Sequence, residues 1–252
     1  MIFRVFRGAA LAFAMSCSLV AVPAAAQEKS GVRPGFQHTQ IAGEKIVLFH
    51  PSVKVGEQSM GGMFEPRPEW TADARKFMAA ELERAQSRLS NTVVAVPELY
   101  GEQAQLVAEY DALFATVADA IVEYQFFPGN RLPTRKKGAF EWTLGAETSR
   151  LADLTGARYG LFIYTEDHYG STGRKILQFA AAGLFGAGVS SGVHKGYAGL
   201  VDLKTGDILW LNADGQMGGD VRDVEGMQKR VAQLLEDFPG SKPAPTKTVA
   251  AK

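Results

Sequence analysis

Apolar positions along the chain follow two spacings. Two short β-branched runs closed by proline, "KIVLFHP" (45–51) and "NTVVAVP" (91–97), predict strands, the first central because both of its alternate positions are apolar. Between them, "SVKVGEQSMGGMFEPRP" (52–68) reads as a loop. "EWTADARKFMAAELERAQSRLS" (69–90) then places Ala74, Phe77, Met78, Leu82, Ala85 and Leu89 on one helical face, with Thr71 as N-cap and Asp73 in the first turn. Strand, helix and strand in this order predict a parallel βαβ crossover.

A second helix is predicted over 103–126, its buried stripe formed by Leu106, Tyr110, Leu113, Val117, Ala120 and Ile121. "EWTLGAETSRLADLTG" (141–156) offers Thr143 to cap a third helix and Gly156 to end it. "RYGLFIYTED" (158–167) is a strand, 196–215 a hairpin turning at "KTGD" (204–207), and 224–238 a closing helix with Met227, Val231, Leu234 and Leu235 inward. The fold class is therefore α/β: a mixed β-sheet with a parallel βαβ crossover and a C-terminal β-hairpin, helices covering the sheet. One domain spans 44–238, between a flexible leader (27–43) and a disordered tail (239–252) rich in Pro, Lys and small residues.

Residues 1–26 carry Arg4 and Arg7 ahead of an uncharged apolar run ending in Ala-Ala-Ala, which reads as a secretory signal cut after Ala26. The single cysteine, Cys17, lies within it, so the cleaved chain holds no thiol or disulfide. A lipoprotein reading of "AMSC" meets Ala14 where leucine is usual, which argues against lipidation. Loss of the two arginines leaves 25 basic against 27 acidic side chains, a formal charge of −2, and no nucleic-acid partner is expected.

The most unusual stretch is 174–196, where Gln178 is the sole polar residue between Ile176 and Val189. It is too short to span a membrane as a helix and does not alternate like a membrane β-strand. "GAGVSSG" (186–192) lacks the Gly-Lys-Ser/Thr of a phosphate loop, and a strand rather than a helix follows it. Burial is expected, with Ile176, Leu177, Ala180, Ala181 and Leu184 as a helical stripe; the alternative is a surface for a partner or a membrane.

Four histidines, His38, His50, His168 and His194, show no metal-ligand spacing, so neither metal nor cofactor is expected. "TEDHYGSTGR" (165–174) sets Glu166, Asp167, His168 and Arg174 at a strand end, where ligands sit in open sheets, although a solvated loop with Asp167 pairing Arg174 is the plainer reading. "GGDVRD" (218–223) supplies Asp220, suited to N-capping the last helix, and Arg222, suited to a carboxylate across a cleft. Trp70, Trp142 and Trp210 read as core or rim anchors. No residue set declares a catalytic constellation.

The order of strand "YGLFIYTED", glycine-rich insert, strand pair "AGLVDLKTGDILW" with its Thr205-Gly206-Asp207 turn, and helix resembles the periplasmic α/β domain of the curli-secretion channel and penicillin-binding-protein-activator lipoproteins, itself similar to the N-terminal domain of TolB. The likeness covers 45–238. It implies a non-enzymatic envelope protein that binds partners or assembles, including with copies of itself. The expected function is binding another envelope component, a protein or the membrane surface, in the periplasm or at the inner face of the outer membrane. Residues 170–195 would be the contact element, with Leu177, Phe179, Leu184 and Phe185 at its centre. The competing reading is a periplasmic hydrolase or small-ligand-binding protein, which requires Glu166, His168, Arg174, Asp220 and Arg222 to converge on one cleft.

Overall fold

The computed structural model describes residues 29–130, 138–185 and 192–241. In chain order the elements are β1 (Lys29–Val32), β2 (Lys45–Leu48), β3 (Ser52–Gln58), β4 (Phe64–Pro66), α1 (Pro68–Gln86), β5 (Thr92–Ala95), α2 (Gly101–Ile121), α3 (Ser149–Thr155), β6 (Tyr159–Gly170), α4 (Thr172–Phe185), β7 (Gly192–Asp202), β8 (Ile208–Asp214) and α5 (Val224–Leu234). The strands form one mixed sheet, as the sequence predicts, with helices packed against both faces.

The longest strand, β6, organises this sheet. One edge pairs antiparallel with β7 along its whole length. The other edge pairs in parallel first with β2 and then with β3, so two consecutive short strands share one long neighbour. The predicted crossover is present, β2 and β5 being parallel with α1 between them. Successive β6 side chains face opposite ways. Leu161 and Ile163 join Val53 and Val55 under α1 and α5, whereas Phe162 and Tyr164 join Val47 and Phe49 under α2 and α3. Both faces being covered, the strand reads as an almost unbroken apolar run.

The predicted loop over 52–68 is instead the hairpin β3–β4. Val53 and Val55 alternate inward while Lys54 points to the opposite face, a period of two too short to stand out beside the polar residues that follow. Helix α1 starts at Pro68, whose fixed φ suits the first helical position, so Thr71 is not the cap. The Thr71 hydroxyl donates to the Val55 carbonyl (3.1 Å) and accepts from the Val55 N–H (3.2 Å), fastening α1 to β3.

The leader expected over 27–43 contributes β1, which pairs antiparallel with β8, and a 3-10 turn that buries Ile41 completely. Backbone pairing to a free sheet edge requires no hydrophobic periodicity, so composition gave no warning of it. At the other end, Ser241 bridges to Leu89. The described fold thus covers 29–241, and the signal segment, Cys17 and the tail from 242 lie outside the described residues.

Other boundaries shift for local reasons. Thr143 does not cap α3; it bridges to Asp207, and its hydroxyl accepts from the Gly145 N–H at 2.9 Å. Gly156 does end α3, in the left-handed conformation. On α2 the buried row is Leu106, Val107, Tyr110, Phe114, Ala118 and Ile121, while Leu113 is exposed. A row at i, i+4, i+8 has displaced the expected one because Phe114 stacks on Phe162 of the sheet. Helix α5 ends at Leu234, and Phe238 returns to the core beside Trp210.

The turn between β7 and β8 sits where predicted, with Gly206 at φ +80°. A Cβ there would lie 2.1 Å from the Gly145 carbonyl oxygen. Gly206→Ala therefore combines a disfavoured backbone conformation with a backbone clash, and is expected to cost about 1–3 kcal/mol. Urea unfolding should show a lower midpoint at an unchanged slope.

Candidate functional site

Five of the six polar candidates fall into three separate groups, and Arg174 stands apart from all of them. On the α1/α5 face of β6, Asp167 is fully buried and forms a two-pronged pair with Arg230 of α5, Nη1 to Oδ2 and Nη2 to Oδ1, both at 2.8 Å. Thr165 Oγ1 donates to Asp167 Oδ2 (3.1 Å), and His194 Nδ1 on β7 donates to Oδ1 (2.8 Å). Arg230 also reaches Thr165 Oγ1 and the carbonyls of Gly218 and Gly219. Burial pushes the Asp167 carboxyl upward, but the His194 and Arg230 hydrogen bonds outweigh it and hold the group below its ordinary value.

The solvated loop with an Asp167–Arg174 pair is thus overturned: β6 continues through Gly170, and the partner is Arg230. Sequence reasoning missed Arg230, although a signal was present. It lies three residues after Met227 and four before Leu234, inside the inward stripe of α5, where an arginine must be paired. Arg174 lies in α4, with its guanidinium beside Gly62 of the β3–β4 turn.

On the α2 side, Glu166 and His168 are together, Oε1 and Nε2 2.7 Å apart. The Tyr164 hydroxyl donates to Glu166, and Lys195 Nζ stands 3.5 Å from Glu166 and 3.1 Å from Asp119. The Tyr197 hydroxyl donates to Asp119 at 2.5 Å, and the Phe64 ring stacks on His168. Against burial, which acts upward, the Tyr164 hydrogen bond and the Lys195 charge keep the Glu166 carboxyl low. Every charge in this chain of contacts has a partner.

The third group is Asp220 and Arg222. Asp220 does not cap α5; Asp223 does, Oδ1 accepting from the Gly226 N–H at 2.7 Å. Arg222 does not reach across a cleft either. It grips Asp220 two residues away (2.9 and 2.6 Å) and lies 3.7 Å over the Tyr169 ring and 4.8 Å over Trp70. The Arg222 hydrogen bond takes the Asp220 carboxyl down to about 2. Tyr169 shares the Asp167 face, so Asp220 and Arg222 are separated from Glu166 and His168 by the sheet. The five residues of the hydrolase reading do not converge. Among the described residues, no three His, Asp or Glu side chains gather as a metal would require.

The opening of 174–196 forms α4 and overturns the expectation of burial. Ile176 is 64% exposed, Leu177 43% and Phe179 80%, and Ala180 is exposed as well. Met60 (61%) and Met63 (74%) of the β3–β4 turn are also exposed, Met60 lying against Gly173. Both sheet faces already carry helices, and α4 leaves the far end of β6 with no face to cover. The side chains of Leu184 and Phe185, and residues 186–191 of the glycine-serine run, lie outside the described part. No helix among the described residues is long and apolar enough to cross a membrane.

No family model matches the chain, and no curated protein matches it. Among solved structures it is similar to a point variant of the PelC dodecamer from Paraburkholderia phytofirmans, at 13% identity over 85% of this chain and 98% of that one, with a TM-score of 0.38. A second PelC dodecamer from that organism gives 13% identity, 82% and 95% coverage and a TM-score of 0.34. Lipoprotein GNA1162 from Neisseria meningitidis gives 14% identity, 77% and 98% coverage and 0.29. Similarity at this level carries no functional argument.

Removing one partner of the buried pair leaves the other charged in the core. Asp167→Asn and Arg230→Met are each expected to cost about 3–5 kcal/mol in urea unfolding, and the double variant much less than their sum. Because the Asp167 carboxyl is depressed in the fold, its contribution is complete above the unfolded-state value of about 3.9 and is lost as pH falls through the lower folded value. Unfolding followed across the acid range should show that loss in the wild type and not in Asp167→Asn.

Proposed function

We propose that this chain is an exported, non-enzymatic cell-envelope protein that binds or assembles with another envelope component through 170–195, in the periplasm or at the inner face of the outer membrane. The observation that carries the reading is the exposed apolar surface of α4, where Ile176, Leu177 and Phe179 stand in water beside Met60 and Met63. Exposed apolar side chains gathered on one short helix in this way mark a contact site. Leu184 and Phe185, which end the same helix, extend the proposed element in sequence.

Two further arguments support it. The N-terminal 26 residues have the charge, apolar run and small-residue end of a secretory signal. The polar groups that would have served a hydrolase are paired among themselves on opposite sides of the sheet, which is the pattern of structural ion pairs. The resemblance noted in the sequence points the same way, to proteins that bind or assemble.

The test replaces Ile176, Leu177 and Phe179 together by serine in the full-length tagged protein, followed by fractionation with carbonate-washed membranes and by native mass measurement. Wild type is expected in the membrane fraction or in a complex, and the triple variant free, at least tenfold less associated, with unchanged circular dichroism; tenfold corresponds to about 1.4 kcal/mol. Association surviving in the triple variant would sink the reading. A Cys17→Ala control separates retention through a lipid anchor from retention through α4.

A further inference from the structure

A second surface, independent of α4, lies at the open edge of β3. Strand β4 covers β3 only at Gly56–Gln58, so at Ser52–Lys54 no described strand lies beyond it. Helices α1 and α2 flank this gap and leave a cleft of about 730 Å³, within the usual range for small-molecule sites. Its helical walls include four alanines, Ala79 of α1 and Ala108, Ala112 and Ala115 of α2.

Asp111 of α2 lines this cleft and is half-buried. Among the described residues its carboxyl has no hydrogen-bond or ion-pair partner, and burial pushes it up to about 7. A desolvated carboxyl without a counter-ion is costly, and the described buried acids Glu81, Asp167, Asp202 and Asp214 each accept at least one hydrogen bond. Lys54 of β3 and Arg75 of α1 line the same cleft from exposed positions. Neither forms an ion pair among the described residues; the Lys54 ammonium lies 5.3 Å over the Tyr164 ring. The cleft therefore presents an unmatched acid in its wall and unmatched bases at solvent-facing positions.

We propose that this cleft binds a small zwitterion, an amino acid or short peptide, with its ammonium on Asp111 and its carboxylate on Lys54 and Arg75. The ammonium supplies the counter-ion that Asp111 lacks, and the two cations hold the other end as charge-assisted hydrogen-bond donors. The alanines leave room for an aliphatic body between the two charged ends. The other titratable groups lining the cleft are His50 from the β2–β3 turn, Asp119 on α2 and Tyr164 on β6. Asp119 is already engaged by Lys195 and Tyr197.

The experiment titrates the full chain with L-alanyl-L-alanine by calorimetry and by amide NMR, with ethylamine and propionate as single-charge probes. The dipeptide is expected to bind and to shift amides of 108–115, with Asp111→Asn losing at least tenfold in affinity and Arg75→Ala several-fold. Because the contact requires an ionised carboxyl and a protonated ammonium, affinity should fall about tenfold per unit below pH 7 and fall again above about pH 8, where the dipeptide's own amino group loses its proton. His50→Gln and Asp119→Asn, run beside the wild type, should keep that profile. Asp111→Asn retains the shape of the side chain, and its unchanged spectrum elsewhere shows that it folds. Three outcomes would overturn the proposal: no dipeptide binding up to about 10 mM, equal binding by Asp111→Asn, or propionate binding as tightly as the dipeptide, which would leave only a simple anion site.

Discussion

The buried pair between Arg230 and Asp167 is the interaction on which this end of the molecule depends. Neither side chain touches solvent, and each would be untenable there alone. The guanidinium also takes the carbonyls of Gly218 and Gly219, while the carboxylate takes Thr165 and His194. One pair therefore joins β6, β7, the loop after β8 and the last helix. That loop in turn places Asp220, Arg222 and the Val221 N–H against Tyr169. What resembles a polar site in the sequence is largely the periphery of this one contact.

Strand alternation governs the rest. Because β6 runs straight through Glu166, Asp167 and His168, their side chains divide between the two helical layers, and neighbours in sequence become strangers in space. A loop at this point would have allowed them to converge. The hydrogen-bonded register of β6 with β3 and β7 thus keeps Asp220 and Arg222 on the other side of the sheet from Glu166 and His168.

The strong periodicities were legible in the sequence: the crossover, the β7–β8 hairpin with its Gly206 turn, the left-handed stop at Gly156 and the inward stripe of α5. Elements formed by backbone pairing were not. Strand β1 needs only the free edge of β8, and β3 shows just two alternating valines, so neither carries an apolar signature that a reader of the chain would weigh. The charged residues of 166–174 stood out in the sequence, but the partners of Asp167 came from 27 and 63 positions away, at His194 and Arg230. The apolar character of α4 was plain from the sequence; its exposure was not, because that depends on which sheet faces other helices have already taken.

Both exposed features trace back to β3. By continuing along β6 where β2 stops, β3 lengthens the sheet beyond the reach of β5, which pairs with β2 alone. At its beginning this leaves Ser52–Lys54 without an outer neighbour and opens the cleft between α1 and α2. At its end, the turn bearing Met60 and Met63 reaches past the helical layers, and α4, leaving β6 at the same level, meets that turn instead of a sheet face. A strand of seven residues, pinned to α1 by the Thr71 hydroxyl, thus creates two surfaces at opposite ends of itself. One is apolar and exposed, the other a cleft lined by charged groups, and a partner suited to either would gain nothing from the other.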